Sequence, residues 1–256
     1  MARKPTISPS RITTYLACPV KYRWTYLDPR GRWYMRSKSY YSFGSSLHRV
    51  LERFHDEQDA GVTTVDEAVA AVEENWVDAG YGSAEEMAEA LGEGKAMIER
   101  YVEDVVTHDR GGRNLMIERT LSMHFDRFKL VGRLDRLDEL PDGTLEIVDY
   151  KTGRQTVTVE EVADDIALGC YQLLVRELYP DRHIVATIVA LRSGERATHG
   201  MNGAEIGQFQ HDIEALGNEI LEVDYPELVP VSKPLCPRCD FLPLCKRHPE
   251  FVLTED

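Results

Sequence analysis

Cys18 stands alone near one end of the sequence, and Cys236, Cys239 and Cys245 form C-x2-C-x5-C near the other. If these thiols share one metal centre, the two ends must meet and everything between must fold back on itself. Five cysteines is an odd number, which suits metal ligation in a reducing compartment better than a disulfide framework. Spacing alone leaves an iron–sulfur cluster, a zinc ion or unrelated buried thiols open. One distant cysteine beside C-x2-C-x5-C departs from the paired-knuckle spacing of zinc sites. Four thiolates also suit iron and sulfur, so a [4Fe–4S] cluster is the expectation. Cys170 falls within a helical pattern and reads as a small buried apolar residue.

The chain has 256 residues, 43% of them apolar, enough for a real core. No run approaches the roughly 18 apolar residues of a membrane span. The opening "MARKPTISPS" lacks the apolar stretch of a secretory signal, so a cytoplasmic location is expected. The net charge of −14 is unevenly spread: residues 1–53 hold eleven Lys/Arg against two Asp/Glu. A local basic surface is all that phosphate contacts need. Within it, "KYRWTYLDPRGRWYMRSKSYY" interleaves cations with aromatics, a mixture suited to single-stranded nucleic acid.

Ser8-Pro9 is a helix start, and Pro19 interrupts that helix just after Cys18. Residues 28–42 read as a loop, and helix resumes from about Gly44. Residues 65–79 and 83–108 have amphipathic helical spacing, closed by the turn "HDRGGRN". The runs "LMIERTLSMHF", "FKLVGRLDRLDEL" and "TLEIVDYKT" then read as three consecutive strands of an antiparallel meander, with a PDG turn between the last two. A helix over 164–178, a strand over 183–191 and a helix over 203–222 follow. This order predicts an α/β core. The expected segments are a basic helical part (1–60), a helical insertion (61–112), the core (113–225) and a Cys-rich tail (226–256).

Asp135 lies in the second of these strands, and Asp149-Tyr150-Lys151 ends the third. Asp149 and Lys151 are two apart, so they share a strand face. Pairing through the PDG turn brings Asp135 beside Asp149. Two carboxylates and an ammonium converging in this way suit phosphodiester hydrolysis assisted by Mg2+ or Mn2+.

These residues carry a resemblance. "GRLDRLDEL…LEIVDYKTG" resembles motifs II and III of the PD-(D/E)XK nuclease superfamily in its RecB-like branch, with D-x-K as motif III. Gly44-Ser45-Ser46-Leu47-His48 is similar to the branch's upstream G-x-x-x-H. The resemblance implies a restriction-endonuclease-like α/β core: a central mixed sheet with flanking helices. It implies that His48, Asp135, Asp149 and the Tyr150 carbonyl hold the metal and that Lys151 is the catalytic lysine. Gln172 matches the glutamine of Q-x-x-x-Y, but Arg176 stands where the tyrosine belongs, and Tyr171 is expected to point elsewhere. Glu118, in "IERTL", matches an accessory acid. The cysteine pattern is similar to that of the iron–sulfur exonucleases of CRISPR adaptation and of AddB nuclease domains, which implies a cluster on Cys18, Cys236, Cys239 and Cys245.

The function so implied is a metal-dependent DNA exonuclease acting on single strands or ends. Such an enzyme works alone, with a separate helicase, or with an integrase in CRISPR spacer acquisition. The sequence contains no G-x-x-x-x-G-K-[ST] phosphate loop of its own. A catalytically inactive iron–sulfur DNA-binding scaffold is the other reading.

Overall fold

The computed structural model describes residues 4–56, 62–108 and 111–254. Asp109 and Arg110 of the expected turn lie outside them. The chain divides into two compact units, one of Met1–Arg36, His124–Leu130 and His211–Asp256, the other of Ser37–Met123 and Val131–Gln210.

The first unit begins with β1 (Thr6–Ile7) and α1 (Pro9–Ala17). The Ser8 side chain caps α1 by accepting from Arg11 N, and Pro9 fills the first turn, where no amide is needed. Cys18 is extended (φ −167°), ends α1 and starts α2 (Pro19–Tyr22) by accepting from Lys21 N. Pro19 therefore breaks the ladder as its chemistry demands. A π-helical turn (Arg23–Leu27) and a 3-10 turn (Pro29–Trp33) follow, where a loop was expected. The tail carries a 3-10 turn at Cys236–Arg238 and α9 (Leu242–Cys245).

In the second unit, α3 (Ser39–His55) starts five residues before Gly44. The helices α4 (Val65–Glu74) and α5 (Ala84–Thr107) form the insertion, α4 opening on a full capping box between Thr64 and Glu67. The meander is present as β2 (Arg113–His124), β3 (Lys129–Glu139) and β4 (Leu145–Lys151). The helix expected over 164–178 is α7 (Ile166–Leu178), and a short helix that was not expected, α6 (Val159–Ala163), precedes it; each has its own side-chain cap. Then come β5 (Ile184–Ala190), the short β6 (Arg196–His199) and α8 (Gly203–Glu222), whose last residues run into the first unit.

Among the described residues the sheet has six strands in the order β1-β3-β4-β5-β6, with β2 also on β3. It is mixed: β3 and β4 are antiparallel, β4 and β5 parallel. β4 is central, and its first six residues are buried, as a strand covered on both faces must be. Val148 and Tyr150 face a core built with Leu47, Val50, Ile98 and Tyr101 of α3 and α5. α7 packs so closely that a Cβ on Gly132 would fall 2.8 Å from Leu174 Cδ1 and 2.9 Å from Tyr171 Cε1. No described helix is long and apolar enough to cross a membrane.

Candidate active site

The site forms where β3, β4, β2 and α3 converge. The register pairs Arg136 with Val148 and Leu137 with Ile147. Continued by one residue, it sets Asp135 against Asp149, as the meander predicts. Asp135 Oδ2 accepts from Tyr150 N at 2.9 Å, which fixes the carboxylate against β4. Its Oδ1 lies 3.3 Å from His48 Nδ1. His48 Nε2 is 3.0 Å from the Tyr150 carbonyl, so the ring bridges both sequence-predicted partners.

Glu118 of β2 completes the group, its Oε1 3.8 Å from His48 Nδ1. Ligand atoms of His48, Glu118 and Asp135 all lie within 4.8 Å of one another. The resemblance gives Glu118 an accessory role. Its backbone carries the further signal, with φ at +45°, left-handed in the middle of a strand. A non-glycine residue held there costs about 1–3 kcal/mol. The distortion marks a side chain constrained by what surrounds it. Arg133 Nε holds the other carboxylate oxygen at 2.6 Å.

Asp149 is buried, with Lys151 Nζ 2.7 Å from its Oδ2. The approach is that of an ion pair, with the ammonium the donor nearest to Oδ2. Burial pushes Asp149 up to about 6; Asp135 adds to this, while Lys151 and His48 oppose it. Two carboxylates this close, one of them buried, repel each other, and a cation between them would lower that cost. Burial opposes the charge of His48, but Asp135 and Glu118 outweigh it and push the imidazole up to about 10. The site thus holds an excess of negative charge that already recruits a proton. One imidazole with hard carboxylate and carbonyl oxygens is a donor set that fits Mg2+ or Mn2+.

Gln172 is buried in α7, where its Oε1 accepts from Met201 N at 2.9 Å. Its neighbour Tyr171, expected to point elsewhere, is the α7 residue that shares the field of the acids. Burial raises its phenol, and Asp149 and Asp135 raise it further. Arg176 Nη1 donates to Pro180 O, away from this chemistry.

Cys18, Cys236, Cys239 and Cys245 belong to the first unit, and they and Cys170 are free thiols. Backbone amides of Lys21 and Lys233 donate to Cys18 Sγ and Cys236 Sγ at 3.4 and 3.3 Å. Burial pushes Cys245 up to about 11, and Cys239, Cys18 and Cys236 add to it. The four thiols therefore sit within one another's field. Cys170 is buried in α7, apart from them in the second unit.

A mixed sheet with flanking helices that presents acids, lysine and imidazole at its central strand has the restriction-endonuclease-like architecture. The sequence matches the PD-(D/E)XK nuclease superfamily over residues 6–246, and the chain belongs to that superfamily. It is a hydrolytic nuclease by family. Its fold is similar to the crystal structure of a candidate exonuclease from Eubacterium rectale (TM-score 0.56, 13% identity, covering 98% of this chain and 90% of that one). The crystal structure of SSO0001 (TM-score 0.33, 13% identity, 97% and 89% covered) is too distant to bear on the fold. No curated protein matches the sequence.

Proposed function

We propose that the chain is a Mg2+- or Mn2+-dependent DNA exonuclease of the RecB-like type, acting on single-stranded DNA or DNA ends. The observation that carries this reading is the convergence of His48, Glu118 and Asp135 within 4.8 Å, beside the buried Asp149–Lys151 pair. The Eubacterium rectale protein of similar fold bears an exonuclease name, which supports the reading. His48, Glu118, Asp135, Asp149 and the Tyr150 carbonyl would hold the cation. Bound there, it supplies Lewis-acid charge to the phosphodiester and makes hydroxide accessible near neutral pH. Burial works against the charge of Lys151, but Asp149, with Asp165 and Asp135, holds its pKa above the ordinary lysine value. Lys151 therefore acts as an ammonium donor that orients the attacking water or offsets charge on the phosphate. Gln172 acts as a positioning residue, tying α7 to Met201 so that Tyr171 stays over Gly132.

Segment 21–38 would guide the strand. Arg32 lies 4.7 Å over the exposed Trp33 ring, and Arg23 and Arg30 lie 4.8 and 5.2 Å from the Trp24 ring. Such cation–aromatic surfaces suit stacked bases and their phosphates.

The same reading puts a [4Fe–4S] cluster on Cys18, Cys236, Cys239 and Cys245. Amide donation to cysteine sulfur is one of the ways proteins tune such clusters.

The test is incubation of the pure protein with labelled single-stranded DNA in Mn2+ or EDTA, beside Asp149→Ala and Lys151→Ala. Cleavage that needs the metal and vanishes in both variants is expected. Full metal-dependent cleavage by both variants would overturn the assignment.

A further inference from the structure

The ligand cluster takes up only part of a cavity of about 670 Å3. Much of the remaining wall is one face of α3, along which Tyr41, Ser45, His48 and Glu52 recur every three or four residues. At the N-terminal end of that face stand Tyr40 and Tyr41, 62% and 68% exposed, their ring centroids 4.4 Å apart at 47°. They are not part of the helix's core stripe. That role falls to Phe43, Leu47, Val50 and Leu51, all buried. Scattered exposed aromatics are ordinary. Two in contact, lining the same cavity as the metal ligands, are a built surface.

The chemistry of that surface is specific. Seven or eight residues of helix separate the tyrosines from His48, a rise of roughly 10–12 Å. This is about the span of one or two nucleotides of an unstacked strand. Arg49 and Arg133 line the same cavity; Arg133 is paired with Glu118, and Arg49 supplies positive charge along the way. The volume falls within the roughly 300–1,000 Å3 of small-ligand sites, room enough for a nucleotide. Aromatic faces accept any nucleobase, and each stacked base strengthens binding about five- to 150-fold.

We propose that Tyr40 and Tyr41 form a stacking platform for an unpaired nucleobase one or two nucleotides from the phosphate held at the His48–Asp135 cluster. The cleft thereby reads a single-stranded end and rejects paired bases. This rests on the nuclease reading of the same site and names its substrate.

The experiment uses the full chain and oligonucleotides in which one nucleotide at a time, counted from the end, is replaced by an abasic residue. Binding is followed by anisotropy in Ca2+, and cleavage in Mn2+. For wild type, one or two abasic positions should weaken binding and slow cleavage by tenfold or more. The double variant Tyr40→Ala/Tyr41→Ala should bind the intact strand at least tenfold more weakly and show no abasic penalty. Tyr40→Phe/Tyr41→Phe keeps the rings and should behave as wild type. An unchanged melting temperature confirms that the alanine variant is folded. An abasic penalty that persists in the alanine variant, or equal losses on intact and abasic strands, overturns the platform. A wild type that cuts nothing, yet shows a tyrosine-dependent abasic penalty in binding, overturns the nuclease reading and retains the platform.

Discussion

The hydroxyl of Tyr150 accepts a 2.8 Å hydrogen bond from the buried guanidinium of Arg136. The two lie on the sheet face opposite Asp135 and Asp149. Arg136 also donates to the Tyr101 hydroxyl and pairs with Asp138 at 2.9 Å. Tyr150 is thus anchored through its phenol on one face, while its amide holds Asp135 and its carbonyl meets His48 on the other. Tyr150→Phe should cost about 1–3 kcal/mol, because it deprives a buried cation of an acceptor. Urea unfolding measures the loss. Mn2+ affinity should change less than about threefold, since the backbone contacts remain. A large loss of affinity without loss of stability would contradict this division of labour.

Glu118 offers a test of stored strain. Glu118→Gly and Glu118→Ala both lose the carboxylate, but only glycine relaxes at φ +45°. The glycine variant should be the more stable by about 1 kcal/mol, or roughly 2–4 °C in melting temperature. This reverses the order expected in an ordinary strand. Equal melting temperatures would remove strain from the account of the site.

Metal binding should release a proton. His48 is held up to about 10 and is therefore protonated at neutral pH. A divalent ion must displace that proton, so apparent affinity should rise with pH, by up to about tenfold per unit. Calorimetry in buffers of different ionisation enthalpy should count about one proton near pH 8. His48→Ala should abolish the release. Affinity that stays level between pH 6.5 and 8.5 would count against His48 as a ligand.

His55 titrates in the opposite sense. Burial, then Arg136 and Arg196, hold it well below its ordinary value. Below pH 6.5 the unfolded chain gains a proton that the folded chain refuses. Its contribution is present above 6.5 and is lost as pH falls below it, by at most about 1.4 kcal/mol per unit. The stability difference between wild type and His55→Gln, from denaturant curves between pH 5 and 7.5, should therefore shrink with acid. A difference that grows toward pH 5 would reverse the sign and exclude a neutral buried His55.

Purified without oxygen, the protein should be brown, with a broad visible charge-transfer band. Cys239→Ser should bleach it. A colourless protein carrying one zinc per chain would assign the four thiols to that ion instead.

The strands were legible because their periodicity is strong and the PDG turn fixes their register. That register alone brings Asp135 to Asp149. His48 was legible through G-x-x-x-H, whose spacing keeps Gly44 and His48 on one helix face. Glu118 was legible only as an accessory acid through the resemblance; its left-handed backbone is a distortion that no pattern of side chains encodes. Tyr40 and Tyr41 carry no helical signal in the sequence, since the apolar stripe of α3 begins only at Phe43. Tyr171 points away from Gln172, as helical spacing requires; what spacing does not show is that α7 lies so close over Gly132 that the tyrosine ring comes within the acids' field. The strands β1 and β6, of two and four residues, are too short to show alternation.

The first unit is assembled from three separated stretches, the last starting at His211, whereas the second is complete by Gln210. At roughly 5–20 residues per second of synthesis, the nuclease sheet can settle while most of the tail is still unmade. Cys18 must wait, reduced and without its companions, until the final stretch leaves the ribosome. Any cofactor that needs all four thiols can be loaded only after Cys245 has been made, by which time every residue of the second unit has already been added.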